Sequence, residues 1–133
     1  MTKRGRSVAG IAIDDGRVFI ARRKPGGALG EKWEFPGGKA EEKESDDEAL
    51  KREYLEEFCV KIEVGQLLAS VEFSHKDRLF VLNAYRVFHG STDLKMTEHT
   101  EWRWIRPGEI EPGDFAPSDF SLLPAIEKHI LSA

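Results

Sequence analysis

The stretch "GGKAEEKESDDEALKREYLEEFCV", residues 37–60, decides the fold because it joins two glycines to a run dominated by carboxylates. Ser45, followed three residues later by Glu48, forms a capping box, which predicts that a helix begins at this serine. Apolar residues then recur at every fourth position: Leu50, Tyr54 and Phe58. One stripe of the predicted helix can therefore face a core.

Three glutamates project from this helix beside its apolar stripe. At about 100° per residue, Glu53, Glu56 and Glu57 fall within an arc of roughly 100°. Like charges at this spacing destabilise a helix, and burial would raise the pKa of each carboxyl group. A divalent cation such as Mg²⁺ removes the conflict, because it prefers oxygen ligands and bridges carboxylates to substrate phosphates. The alternative is a solvated acidic helix in which Glu48 and Arg52 form an i,i+4 pair.

The spacing of the stretch favours the metal hypothesis. Gly38, five residues, Glu44, seven residues and then "REYLEEFCV" resemble the Nudix box, in which a glycine and a glutamate precede "REUxEExGU", with U apolar. "WEFPGGK" at 33–39, "EH" at 98–99 and "PSD" at 117–119 look like the MutT branch of the Nudix hydrolases. Within that branch, the likeness points to the bacterial CTP pyrophosphohydrolases and covers nearly the whole chain.

Two positions depart from the motif. Tyr54 occupies a position usually held by a smaller aliphatic residue, although it still fits the apolar stripe. Cys59 replaces the glycine at the helix end, where a left-handed conformation often terminates a helix. The sequence predicts either backbone strain at Cys59 or a different helix end, and it favours an inert, half-buried thiol over a reactive one.

The rest of the chain predicts a mixed arrangement of strands and helices. Asp15-Gly16 between two apolar runs indicates a β-hairpin, and a Gly- and Pro-rich loop follows from Arg23 to Lys32. Further strands are predicted at 60–73, 78–88 and 101–105, and a second helix near Ser121. The expected fold class is α+β, an α/β/α sandwich around a mixed sheet, with residues 1–133 as one domain. The resemblance implies the Nudix fold.

The resemblance also implies a metal site and the residues that act there. The ligands of Mg²⁺, or of Mn²⁺, would be the Gly37 carbonyl, Glu53, Glu56, Glu57 and Glu98. Arg52 would orient the glutamates, with Glu44 as its partner. The general base would be Glu53 or Glu98, although Glu98 could equally be an ordinary loop glutamate.

A second set of residues is expected to bind the substrate. Arg23 and Lys39 would contact phosphate oxygens, and Arg22 should point to the opposite face of the strand. Arg78 matches an arginine that lies against the base in this branch, and Phe35 and Phe73 are candidate stacking walls. Asp119 would read the base.

The carboxylate of Asp119 favours cytosine, whose amino group donates hydrogen bonds, but guanine also presents donors. The alternative hypothesis for Asp119 is a role in a helix cap.

These residues predict an enzyme that hydrolyses nucleoside triphosphates to the monophosphate and pyrophosphate, with CTP, dCTP and 5-substituted dCTP as leading substrates. A sanitiser of oxidised dGTP is the alternative within the class. A Nudix-like binding module that has lost catalysis is less favoured, because the box glutamates and Arg52 are present.

The composition of the chain limits which partners and which cellular compartment are expected for it. The net charge of −4 argues against binding duplex nucleic acid, and the apolar run near the start is too short for a membrane span and lacks a secretory pattern. The single cysteine fits a reducing cytoplasm. The expected partner is a small nucleoside triphosphate, and the oligomeric state stays open.

Overall fold

The computed structural model describes residues 5–90 and 94–132. The strands in chain order are β1 (Gly5–Asp14), β2 (Arg17–Arg23), β3 (Trp33–Glu34), β4 (Gly37–Lys39), β5 (Glu63–His75), β6 (Arg78–Phe88) and β7 (His99–Ile105). The helices are α1 (Asp46–Phe58), α2 (Pro117–Phe120) and α3 (Leu123–Ser132), with 3-10 turns at Pro107–Glu109 and Pro112–Asp114. The mixed order of elements agrees with the sequence.

The sheet is mixed, with strand order β3-β2-β1-β6-β5 and with β4 beside β1 and β7 beside β2. Strands β1 and β6 run parallel, and the remaining neighbours are antiparallel. The hairpin expected at Asp15-Gly16 joins β1 to β2, with both residues at positive φ as a tight two-residue turn requires.

Helices cover both faces of the sheet. On one face, α1 packs its stripe of Leu50, Tyr54 and Phe58 against Phe19 and other buried residues of the sheet. On the other face, the segment around α3 packs against the sheet through the buried side chains of Phe115, Leu122, Leu123 and Ile126. The three residues of the α1 stripe have no exposed surface, which confirms that the fourfold spacing marks a core face. The α/β/α sandwich predicted from the sequence is confirmed.

Several element boundaries differ from the sequence prediction. Strand β5 begins three residues later than expected, and β7 begins at His99 rather than Glu101. The second helix begins at Leu123 rather than near Ser121, and it follows the four-residue helix α2, which the sequence did not predict. Pro124 falls in the first turn of α3, where its missing N–H costs no helical hydrogen bond. Within residues 5–90 and 94–132, helix length and apolarity fall short of what crossing a membrane requires.

Helix α1 ends at Cys59 in the left-handed conformation, with φ 55° and ψ 35°. The capping box at its other end is present, since Ser45 and Glu48 exchange side-chain hydrogen bonds with each other's backbone N–H. The helix therefore ends as a glycine-terminated helix would, and a cysteine bears the strain. The thiol is exposed, so the expectation of a half-buried thiol is wrong.

Replacing Cys59 with glycine should stabilise the protein. A side chain in the left-handed region costs about 1 kcal/mol, which glycine avoids because it has no Cβ. We expect Cys59→Gly to raise the free energy of unfolding in urea by up to about 1 kcal/mol. Cys59→Ala keeps the Cβ and serves as the control. Equal stability of the glycine and alanine variants would show that the helix end is unstrained.

His89 lies among aromatic rings behind α1, with ring centroids 5.0 Å from Phe19, 5.8 Å from Tyr54 and 5.9 Å from Trp104. Neither ring nitrogen has a hydrogen-bond partner among the described residues, and burial lowers the pKa of His89. At acidic pH, the unfolded chain therefore binds a proton at His89 more readily than the folded protein does. The stability that the neutral ring contributes is present above the unfolded pKa of about 6.5 and is lost as the pH falls through the lower, folded pKa.

A phenylalanine at this position should remove that loss. We expect the stability advantage of His89→Phe over wild type to grow as the pH is lowered from about 7.5 to about 5.5. Urea unfolding at several pH values measures it, with the exposed His75→Phe as control. An advantage independent of pH would contradict the buried, neutral state of His89.

Candidate active site

The glycines before α1 let the helix approach the sheet. Strand β4 pairs with β1, and a Cβ on Gly37, whose φ is +153°, would lie 2.0 Å from the Val8 carbonyl oxygen. A Cβ on Gly38 would lie 2.7 Å from the carboxyl carbon of Glu53. Only glycine fits either position, and the α1 glutamates consequently reach the backbone of β4.

The three α1 glutamates lie in different environments. The Glu57 residue is 5% exposed, whereas the side chains of Glu53 and Glu56 are 16% and 59% exposed. Burial, the carboxylate of Glu34 and contact with Glu53 raise the pKa of Glu57 to about 10, against a hydrogen bond from the Gly37 backbone N–H that lowers it. Glu57 is thus a carboxyl group that the protein alone keeps protonated at neutral pH.

Arg52 fixes the direction of its neighbouring carboxylates. Its Nε and Nη2 donate to the two oxygens of Glu44 at 2.7 and 2.8 Å, and its Nη1 donates to Glu53 at 2.9 Å and to Glu56 at 3.3 Å. The hydrogen bonds from Arg52, together with one from the Glu41 backbone N–H, lower the pKa of Glu44 to about 2. The Glu44–Arg52 contact expected from the motif is present. The alternative Glu48–Arg52 pair is wrong, because the Glu48 carboxylate accepts from the backbone N–H of Ser45.

Two residues that the sequence did not single out join this cluster. Glu34 lies 3.3 Å from Arg23 and 2.8 Å from Nε2 of His99. His99 is 3% exposed, and its ring stacks on Phe58 with centroids 5.1 Å apart and an angle of 11°. One ligand atom from each of Glu34, Glu57 and His99 lies within 4.8 Å of the others. The "EH" pair was visible in the sequence, but only the strand pairing of His99 with Arg23 places the histidine beside Glu34.

The predicted metal ligands line one cleft of about 320 Å³. The lining residues are Arg23, Glu34, Gly37, Gly38, Glu53, Glu56, Glu57, Thr97, Glu98 and His99. Glu98 is exposed, and its neighbour Thr97 donates hydrogen bonds from its N–H to the Glu57 carbonyl at 3.1 Å and from its hydroxyl to the Glu56 carbonyl at 2.8 Å. The segment that carries Glu98 is thereby attached to the end of α1.

The composition of this metal cleft fits a divalent cation. Its carboxylates supply the oxygen donors that Mg²⁺ and Mn²⁺ prefer. One buried oxygen of Glu57, Oε2, has no hydrogen-bond partner among the described residues. A cation would replace the proton on Glu57 and satisfy that oxygen.

A second cleft of about 340 Å³ continues from the first, because both are lined by Arg23, Glu34, Gly37 and Gly38. It contains most of the predicted substrate-binding residues: Arg23, Phe35, Lys39, Phe73 and Asp119. We call it the nucleotide cleft. Arg22 points away from both clefts and pairs with Glu101 at 3.2 Å, as strand alternation predicts.

Asp119 is a buried acid in the nucleotide cleft, 8% exposed, and its Oδ2 accepts a hydrogen bond of 2.9 Å from the Phe35 N–H. Burial and the nearby Glu34 carboxylate raise the pKa of Asp119 to about 7. Asp119 lies within α2. The N-cap residue of this helix is Ala116, and no side chain forms a capping hydrogen bond there. The helix-cap alternative for Asp119 is therefore wrong.

The aromatic candidates and Arg78 lie in different places. Phe35 is 2% exposed and packs edge-on against Phe115, whereas Phe73 is half-buried and stacks on Phe80 at 5.3 Å. Arg78 does not line the nucleotide cleft. It lies over Phe80 at 5.2 Å, as Lys39 does, and lines an adjoining pocket of about 250 Å³.

Comparisons with known proteins agree with this arrangement. The model of the NUDIX domain matches residues 3–126. The CTP pyrophosphohydrolase of Escherichia coli K12 is 38% identical over 104 residues, which are 77% of this chain and 76% of that protein. The 8-oxo-dGTP diphosphatase of Proteus vulgaris is 37% identical over 87 residues, which are 65% of this chain and 78% of that protein.

Solved structures show the same fold. The solution structure of the E. coli ORF135 protein superposes with a TM-score of 0.84 at 36% identity, covering 96% of this chain and 91% of that one. The mixed sheet between helices is common to both. With the domain match over residues 3–126, the chain belongs to the NUDIX family and is a Nudix hydrolase.

Proposed function

We propose that the chain is a Mg²⁺-dependent nucleoside triphosphate pyrophosphohydrolase that converts CTP, dCTP or a 5-substituted dCTP to the monophosphate and pyrophosphate. The observation that carries the proposal is the continuity of two clefts that share Arg23, Glu34, Gly37 and Gly38. The metal cleft gathers carboxylates, and the nucleotide cleft is lined by a buried acid, Asp119, beside Phe35. A nucleotide that spans both would place its base at Asp119 and its phosphates near Arg23.

Different residues of the chain bind the phosphates, orient the carboxylates and hold the metal. Arg23 and Lys39, which both line the nucleotide cleft, bind phosphate oxygens. Arg52 holds Glu53 and Glu56 in fixed directions, so little reorganisation is needed during the reaction. Glu53, Glu56, Glu57 and the Gly37 carbonyl would hold the divalent cation, with Glu98 at the cleft edge. When bound there, the cation would supply neutralisation of phosphate charge and a lowered pKa of water.

Glu53 and Glu98 are the two candidates for the general base that takes the proton from the attacking water. Glu53 lies inside the metal cleft, where Arg52 holds it, and Glu98 is exposed at its edge. A general base must come within hydrogen-bond reach of the proton that it removes. The fixed position favours Glu53 as base, and Glu98 would then complete the metal site.

A sanitiser of oxidised dGTP is the second candidate. An ionised Asp119 accepts hydrogen bonds from guanine as well as from cytosine, and a relative of 37% identity is named 8-oxo-dGTP diphosphatase. A module that binds nucleotides without hydrolysing them is less favoured, since Glu53, Glu56, Glu57 and Arg52 are all present and gathered in one site.

The test is a comparison of kcat/KM with Mg²⁺ for CTP, dCTP, 5-methyl-dCTP, dGTP, 8-oxo-dGTP and ADP-ribose. We expect the cytosine nucleotides to be preferred. Preference for 8-oxo-dGTP would retain the chemistry and overturn the assignment of the base, whereas preference for ADP-ribose would overturn the triphosphate class.

A further inference from the structure

His99 and Glu57 face each other with atoms that lack partners. Nδ1 of His99 and Oε2 of Glu57 are both buried, and neither has a hydrogen-bond partner among the described residues. They lie 3.9 Å apart, beyond the roughly 3.2 Å of a hydrogen bond. Buried polar atoms nearly always have hydrogen-bond partners. Two such atoms that face each other without a partner therefore indicate that a bound group lies between them.

The contact between the other imidazole nitrogen, Nε2, and Glu34 indicates that the bound group is a cation. Nε2 lies 2.8 Å from Oε2 of Glu34, and a carboxylate accepts, so Nε2 carries the proton. With a proton on Nε2, the tautomer that can act as a ligand has its lone pair on Nδ1, the nitrogen that faces Glu57. A carboxylate that holds one histidine nitrogen while the other faces a metal is the common arrangement around histidine ligands.

The spacing also suits a cation. Metal–ligand distances of about 2.1 Å place two ligand atoms roughly 3.0 Å apart when they are adjacent and roughly 4.2 Å apart when they are opposite. The 3.9 Å between Nδ1 and Oε2 lies within the roughly 4.2 Å that two ligand atoms of one cation can span. The stacked Phe58 ring, the Glu34 hydrogen bond and the 3% exposure hold the imidazole in place.

We propose that His99 Nδ1 is a nitrogen ligand, with Oε2 of Glu57, of a divalent cation in the metal cleft, and that Glu34 orients the imidazole. The inference rests on the proposed metal-dependent function and deepens it. A nitrogen donor raises the affinity for Mn²⁺ relative to Mg²⁺, which favours oxygen ligands. Glu34 therefore serves the metal cleft through His99 and the nucleotide cleft through Arg23.

The test is electron spin-echo envelope modulation of Mn²⁺ bound to the full chain without nucleotide. We expect ¹⁴N modulation from a coordinated imidazole in wild type and in the control His129→Gln, which lies on α3. The modulation should vanish in His99→Gln. Incorporation of [¹⁵N]histidine should abolish the ¹⁴N signal with no substitution, so a folding defect in the variant leaves the test intact.

Affinity provides a second readout. We expect His99→Gln to weaken Mn²⁺ binding about tenfold more than Mg²⁺ binding, and Glu34→Gln to weaken Mn²⁺ binding about ten- to a hundredfold.

Failure of this inference is separable from failure of the proposed function. Mn²⁺ that binds wild type without ¹⁴N modulation overturns the ligand role of His99, and metal-dependent hydrolysis of CTP can still proceed. Histidine ¹⁴N modulation in a chain that hydrolyses no nucleotide supports the ligand role and overturns the proposed substrate.

Discussion

Glu57→Gln should reduce turnover by about a thousandfold while leaving the fold intact. A metal ion contributes several kcal/mol of transition-state stabilisation, and about 4 kcal/mol corresponds to a thousandfold in rate. Glu57 is the most deeply buried of the three α1 glutamates, and it contacts Glu53 and the Gly37 N–H. A neutral amide keeps its size but cannot balance the charge of a divalent cation.

The same substitution should stabilise the metal-free protein at neutral and high pH. Because the folded pKa of Glu57 is raised to about 10, the folded protein retains a proton that the unfolded chain has released. Stability from this group is fully present below about pH 4.5 and is lost as the pH rises toward about 10. We therefore expect the unfolding midpoint of Glu57→Gln in EDTA to exceed that of wild type by a margin that grows with pH.

Glu127→Gln, on the exposed side of α3, is the matched control for charge removal and should change neither turnover nor the pH profile. Turnover of Glu57→Gln at the wild-type rate would refute the metal role of Glu57.

Asp119→Asn should change the choice of base more than the rate. The substitution replaces an acceptor-only carboxylate by a group that both donates and accepts. A good pair of hydrogen bonds to a base edge contributes about 1–3 kcal/mol of discrimination, or about 5- to 150-fold. We expect the ratio of kcat/KM for CTP to that for 8-oxo-dGTP to change by a factor within this range in Asp119→Asn, and to stay unchanged in the control Asp114→Asn, whose side chain is exposed. An unaltered ratio in Asp119→Asn would remove Asp119 from base recognition.

The raised pKa of Asp119 adds a pH dependence to this prediction. Below its folded pKa of about 7, the carboxyl group carries a proton and can both donate and accept. That pattern matches cytosine, which presents an amino donor beside a ring acceptor, better than guanine, which presents two donors. The CTP preference of wild type should therefore increase from about pH 8 to about pH 6, and Asp119→Asn should lose this change.

The sequence predicted the features of the fold that depend on local patterns. The capping box at Ser45, the α1 stripe and the Asp15-Gly16 hairpin are set by neighbouring residues, and all three are present. The start of β7 at His99 was missed because pairing with β2, rather than local composition, defines it. The four-residue helix α2 was missed because its N-cap residue, Ala116, has no side chain that could signal a helix start.

The candidate site was predictable where one segment supplies it. Arg52 and the three glutamates come from α1 at fixed spacing, and Glu44 lies just before that helix. Glu34 comes from β3 and His99 comes from β7. These two strands pair with opposite edges of β2. Their meeting requires the register of three strands, which no spacing along the chain reveals. The position of Arg78 over Phe80, outside the nucleotide cleft, likewise depends on tertiary packing.

We propose that the crowded carboxylates of α1 form the metal-binding part of a nucleotide hydrolase. The most direct test follows CTP by ³¹P NMR with the full chain, first in EDTA and then after Mg²⁺ is restored. We predict that CMP and pyrophosphate form in equal amounts only after Mg²⁺ is added. Hydrolysis that proceeds unchanged in EDTA would show that the reaction needs no metal ion at these carboxylates.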